Sequence, residues 1–325
     1  MSTRPDSIPP FTSLPLRSTD PPYSAWSLYG PTDSLGTLNR LTDAVVLAAA
    51  SEIQTGRRVN LDWPLTAQTT PFFGRQKFEH RMWQKKPRFV NDDVWAFNSQ
   101  GSSQWDGLRH FGYQRERRFY GGVGMEEVHE GGEGEKWVLG VGHWAQRGIV
   151  ARGILLDYRR WREGKKEPSD YRCFERSGMR LEDLKRVLEW QGTEVRWGDV
   201  LFIRSGYMAE FARLEEEVVE KLAAVDPPAF GGVERSEEVM EWVWENFAAV
   251  GGDMPSFESW PPPKDDYSLH EVFLAGFGCP IGELFDLEKL STTCEELGRW
   301  SFFLTSEPCN VPGGVASPPN ALAIF

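Results

Sequence analysis

The segment from Ile149 to Tyr158 (Ile-Val-Ala-Arg-Gly-Ile-Leu-Leu-Asp-Tyr) limits the choice of fold more than any other part of the chain. A short, nearly continuous apolar run bounded by charge reads as a fully buried strand. Gly198 to Gly206 (Gly-Asp-Val-Leu-Phe-Ile-Arg-Ser-Gly) has the same character. Between and around these runs the apolar spacing turns helical. Thr42 caps a helix that runs through Val45 and Val46 to Ile53 and stops at Gly56. A second helix covers Leu181 to Trp190, ending at Gly192, and an acidic one covers 209–224. Ser236 caps a fourth, whose Val239, Trp242, Val243 and Phe247 form one apolar stripe. Further strands are expected at Val59–Leu65, Val94–Phe97, Phe247–Gly251 and the C-terminus, where a strand ending in Phe325 ties the chain end down. This strand–helix mixture supports an α/β core.

Several function classes drop out on composition. The net charge of −12 provides no basic excess to neutralise phosphates, which argues against a nucleic-acid partner. No apolar run approaches the roughly 20 residues of a membrane span. The first 24 residues are proline-rich and lack an apolar signal core, so they read as an arm preceding a single domain over 25–325, with a cytoplasmic location expected. The four cysteines (Cys173, Cys279, Cys294, Cys309) form no C-x-x-C pair and read as free thiols. Fourteen tryptophans suit core packing, with some left to line a pocket for a planar or apolar ligand. The glycines around Gly121 and Gly122 do not form a dinucleotide fingerprint; residues 119–135 read instead as a mobile loop, and 159–168 as a charged connection. There is no G-x-S-x-G elbow. His270-Glu271 is not followed by a second histidine at zinc-protease spacing.

Chemistry concentrates in residues 100–110, Gln-Gly-Ser-Ser-Gln-Trp-Asp-Gly-Leu-Arg-His. Glycines and paired serines predict turns there. Asp106 and His110, four positions apart, can satisfy each other structurally, share a metal, or form an oriented general base.

This stretch resembles the metal-binding segment of the cyclase family that includes bacterial kynurenine formamidase, with the pattern His-x-Gly-Thr-His-x-Asp-x-x-x-His. Asp106 and His110 fall on its final Asp and His, while Gln100 and Gln104 fall where the family has its two earlier histidines. The form Ser-Gln-Trp-Asp-Gly-Leu-Arg-His looks like a branch typical of fungi and some bacteria. The two buried strands, the Asp253-Met254-Pro255-Ser256-Phe257-Glu258 turn, and His270 with Glu283 also resemble family segments, although His270 precedes Glu283 by one position more than is usual.

The resemblance implies a cyclase-type (swivelling β/β/α) fold with a β-barrel-like core and outer helices, assembled as a homodimer or homotetramer. It implies metal ligands at Asp106, Glu283, His270 and Gln104, and His110 with Asp106 as the catalytic acid/base pair. The ion expected is Mn²⁺ or Zn²⁺. Carboxamides are weaker zinc ligands than imidazoles, so the set that remains is oxygen-weighted and suits Mn²⁺ or Mg²⁺, or no metal. Candidate substrate contacts are Gln100, Gln104, Trp105, Arg109, His80 and Tyr120. The implied reaction is hydrolysis of an amide, lactam or lactone in a small cyclic or aromatic substrate. A metal-independent cyclase or isomerase of secondary metabolism, working through Asp106 and His110, stands as the alternative.

Overall fold

The computed structural model describes residues 4–130, 137–165 and 170–325. Residues 131–135 of the glycine-rich loop and 166–168 of the charged connection lie outside the described residues. What is described of the loop is ordered as a 3₁₀ turn, Tyr120–Gly122, and a helix, Met125–Glu130.

Among the described residues thirteen strands occur: β1 (Arg58–Asn60), β2 (Glu79–Gln84), β3 (Asn91–Ala96), β4 (Gln104–Asp106), β5 (Ile149–Leu156), β6 (Gly178–Met179), β7 (Asp199–Ile203), β8 (Gly232–Val233), β9 (Phe247–Gly252), β10 (Ile281–Glu283), β11 (Ser301–Ser306), β12 (Ala316–Ser317) and β13 (Ala321–Ile324). Nine form one mixed sheet in the order β1-β13-β11-β5-β7-β9-β10-β4-β12. The centre, β5-β7-β9-β10, is parallel, and both flanks are antiparallel.

The sheet curls. The chain just past β1 meets the chain just past β10 through an antiparallel bridge between Asp62 and Phe285, and the Asp286 N–H donates to the Leu61 carbonyl. This is the expected barrel-like core. It explains why the two diagnostic strands are apolar on successive residues. Val200 and Phe202 pack with Val59, Trp105, Phe285 and Phe302 on one face. Leu201 and Ile203 pack on the other against Met240, Val243 and Trp244 of the helix Glu237–Asn246. A strand covered on both faces has no polar side to show.

The expected caps are present. The Thr42 side chain accepts from the Val45 N–H, and that of Ser236 from the Val239 N–H. The helix after Thr42 is shorter than expected: it is regular over Asp43–Ala49 and then tightens into a 3₁₀ turn. The acidic stretch 209–224 is two helices, Tyr207–Phe211 and Glu216–Ala223. The N-terminal arm wraps its own body: the Trp244 indole donates to the Pro9 carbonyl, and Phe11 packs edge-on against Phe277. Phe325 is held by main-chain hydrogen bonds with Thr55, Gly56 and Arg57, as expected of a fixed C-terminus. All four cysteines are free. Among the described residues no helix is long and apolar enough to cross a membrane.

Candidate active site

The site forms where β4 and β10 run side by side. Their antiparallel register places Glu283 opposite Gln104 and Ile281 opposite Asp106. Side chains alternate along a strand, so Gln104 and Asp106 share one face and Trp105 takes the other. Gly282 lies opposite Trp105, and a Cβ there would come within 2.8 Å of the indole and 2.5 Å of the Phe285 ring. The missing side chain admits the tryptophan into the barrel. The turn before β4 is pinned by its serines: Ser102 donates to the Trp63 and Pro64 carbonyls, and Ser103 to the Leu284 carbonyl.

On the site face, Asp106 and Glu283 are buried carboxylates. Gln100 Nε2 donates to Asp106 Oδ1 at 2.7 Å and lies 3.1 Å from the His110 ring nitrogens. Gln104 Nε2 donates to Glu283 Oε2 at 2.9 Å. Two buried oxygens in this group, Asp106 Oδ2 and Gln104 Oε1, have no hydrogen-bond partner among the described residues. Burial, and next the Asp106 charge, raise the Glu283 pKa. His110 Nε2 is 3.9 Å from Asp106 Oδ2. Burial lowers the His110 pKa despite that carboxylate, so the ring is neutral near pH 7 and able to accept a proton.

His270 closes the network. Its Nδ1 lies 2.7 Å from Glu258 Oε1 and its Nε2 3.1 Å from Glu283 Oε1. Burial alone would lower its pKa, but the hydrogen bonds and charges of Glu258 and Glu283 outweigh it and push the value up to about 10. Glu258 also accepts the Leu269 and His270 N–H groups at the start of the π-helical segment Glu271–Phe277. It thereby fixes both the backbone and the ring of His270. The ligand atoms of Asp106, His110 and His270 lie within 4.8 Å of one another, a spacing compatible with a shared metal ion.

A cavity of about 160 Å³ opens onto this group. Phe73, Arg75, Phe111, Ser256 and Trp260 line it with His110, His270 and Glu283. The expected residues Asp106, His110, His270, Glu283, Gln100 and Gln104 therefore come together.

Four expected substrate contacts do not. Trp105 faces the barrel interior and donates to the Ser306 hydroxyl. The Arg109 guanidinium turns to main-chain carbonyls, Val138 and Gly313 among them, and acts as a loop anchor. Tyr120 is buried and donates to Asp33. His80 is exposed on the β2–β3 hairpin, 2.9 Å from Asp93. Arg204, at the exit of β7, is taken up by Asp157 and Glu288. Conversely, Glu258, Ser256, Trp260, Arg75, Phe73 and Phe111 were absent from the sequence-derived set. The Asp-x-Pro-x-x-Glu turn held the signal for Glu258: its Glu lies twelve residues ahead of His270.

The sequence profile of the family described as Putative cyclase matches residues 46–259. A solved structure described as a novel cyclase superposes with a TM-score of 0.80 at 28% identity, covering 93% of this chain and 99% of that one. Isatin hydrolase A from Ralstonia solanacearum matches at TM-score 0.54 and 16% identity, over 87% of this chain and 97% of its own. Isatin hydrolase A from Labrenzia aggregata, bound to benzyl benzoate, matches at 0.57 and 12%, over 88% and 98%. No curated protein matches the sequence. Fold and profile agree: the chain belongs to the putative cyclase family.

Proposed function

We propose that this protein is a hydrolase that opens an amide, lactam or lactone bond of a small aromatic or cyclic substrate, with a divalent ion at Asp106. The observation that carries the reading is the pair of buried, unpartnered oxygens, Asp106 Oδ2 and Gln104 Oε1, beside a second buried carboxylate. A buried carboxylate whose charge raises the Glu283 pKa, and whose second oxygen meets no donor among the described residues, is relieved by a cation. The donor set fits a hard ion. Asp106 and Gln104 would hold it beside the second buried carboxylate, Glu283, which leaves His110 unligated, as proton transfer requires. His270 would join only by giving up its contact with Glu283. Oxygen donors favour Mn²⁺ or Mg²⁺ over Zn²⁺. Such an ion, when bound, makes a water acidic enough to act near neutral pH.

The chain's own residues supply the rest. His110, neutral and next to Asp106, takes a proton at a ring nitrogen and returns it to the leaving group. Gln100, between Asp106 and His110, orients both. His270, protonated between Glu258 and Glu283, keeps the Glu283 carboxylate in place. Phe73, Phe111 and Trp260 hold a flat ligand and exclude water from the reacting bond.

A metal-independent acid/base cyclase or isomerase is favoured by one observation of its own: the glutamine amides already donate to Asp106 and Glu283. Elemental mass spectrometry on tag-free protein purified without chelator, repeated after dialysis against Mn²⁺ and Zn²⁺, separates the two. Near-stoichiometric metal that disappears in Asp106→Asn is the expected result. Protein that stays metal-free under every condition rejects the hydrolase reading and leaves Asp106 and His110 as an acid/base pair.

A further inference from the structure

The cavity holds two hydrogen-bond donors with no partner among the described residues. Ser256 is 2% exposed, and its Oγ has no partner among the described residues. The Trp260 indole Nε1 is likewise buried and unpartnered. Both residues line the same space, and Glu283 is the acidic residue in that lining. Neither orphan is accidental in position. Asp253, at the head of their turn, accepts the Ser205 and Gly206 N–H groups, and Glu258, near its end, binds the His270 backbone and ring. The turn is therefore fixed at both ends. The Trp260 ring is held edge-on by Phe73 and His270 at centroid distances of 6.0 Å.

Buried donors left unpaired are costly, and a ligand acceptor removes the cost. Phe73 and Phe111 add aromatic walls, and Arg75, which also lines the space, donates to the Gln100 carbonyl and lies over the Phe73 ring. The volume of 160 Å³ corresponds to about five waters, enough for a one- or two-ring ligand and too small for a polymer.

We infer that Ser256 and Trp260 are specificity-determining donors, and that the substrate is a flat ring system bearing a carbonyl oxygen which these two groups bind. The inference rests on reading the cavity as the substrate site, not on the presence of a metal or on hydrolysis. A site built to hydrogen-bond an acceptor rejects the analogue that lacks it far more strongly than an apolar pocket rejects a change of shape.

The test is equilibrium binding of 1-indanone, a fused-ring ketone that cannot be hydrolysed, against indane, the same skeleton without the oxygen. Titration calorimetry on the full chain is expected to show indanone bound at least about ten-fold more tightly. Ser256→Ala and Trp260→Phe should each weaken indanone by about two- to ten-fold, leave indane unchanged, and together abolish the preference. Thermal melts identify any variant that fails to fold; Trp260→Phe keeps the ring and tests its donor alone. Equal binding of the two compounds by the wild type, binding of neither, or a preference that survives both substitutions overturns the inference. Indanone selectivity in a protein without metal or hydrolytic activity keeps this inference and rejects the hydrolase. Metal-dependent hydrolysis with no such selectivity does the reverse.

Discussion

At the scale of single residues, the site depends on which atom each side chain presents. Gln100 and Gln104 differ from the family's histidines by offering an amide N–H to a carboxylate where an imidazole would offer a lone pair. Restoring the nitrogens in a Gln100→His, Gln104→His double variant should therefore convert the site to one that retains zinc through gel filtration, read by elemental analysis. Failure to gain zinc would mean that the strand geometry no longer converges on one point. His110→Ala should lower turnover by about 10²- to 10⁴-fold, the usual range for a lost general acid/base, and Asp106→Ala at least as much; unchanged activity in both would remove them from the site. The sequence made Asp106, His110, His270 and Glu283 legible because a family pattern spans them. Trp105 was misplaced although the correction lay in the same three residues: if Gln104 and Asp106 face the site from a strand, the residue between them cannot. Ser256 and Trp260 left no such mark. A serine and a tryptophan near prolines look alike whether their donors are paired or free, and only the packed turn shows that they are free.

At the scale of elements, β4 and β10 make the site by their register, and Gly282 makes that register possible. Gly282→Ala would drive a methyl group into Trp105 and Phe285. Such overpacking costs about 1–3 kcal/mol, and urea unfolding should show the loss as a lower midpoint with an unchanged slope. The turn after β9 adds a pH dependence. Burial pushes the Asp253 carboxyl up to about 6, against partial relief from its bonds to Ser205 and Gly206. A carboxyl with a folded pKa above its unfolded value of about 3.9 holds its proton more tightly in the folded state. Its contribution to stability is thus complete below about pH 4 and is lost as pH rises through 6. Wild-type melting temperatures between pH 4 and 6 should carry this slope, and Asp253→Asn should flatten it; an identical slope in the variant would show that Asp253 does not titrate in that window. The apolar runs announced the strands because β5 and β7 are covered on both faces. Of the hairpin only the second strand was legible, as Val94–Phe97 overlapping β3; β2 was not, because the hairpin packs almost nothing and no period of burial is written into it.

That hairpin matters most at the scale of the whole molecule. Met82, Trp83, Phe89, Val94 and Trp95 are all exposed on it, and Phe89 at its tip is 102% exposed. An isolated two-stranded hairpin is marginal in water, and exposed aromatic clusters of this kind mark contact surfaces. Charge points to the occupant. Residues 75–96 carry six Lys or Arg against three acidic residues, Glu79, Asp92 and Asp93, of which Asp92 pairs with Lys85, on a chain whose net charge is −12. The acidic helix Glu216–Ala223 packs beside the 3₁₀ turn Phe72–Gly74 that leads into the hairpin. A net-basic hairpin near an acidic helix is an arrangement that a two-fold pairing of identical chains can use. Light scattering coupled to gel filtration is expected to show a dimer or a multiple of it. A Trp83→Ser, Phe89→Ser, Trp95→Ser variant should move it toward monomer without a lower melting temperature of the body. High salt should weaken the association in part, since the charge contribution is screened and the apolar one is not. The hairpin is inserted between Arg75, on the cavity wall, and Gln100, behind it, so loss of the dimer should also raise KM more than it lowers kcat. A wild-type monomer at micromolar concentration would show that the hairpin's aromatic surface serves another partner.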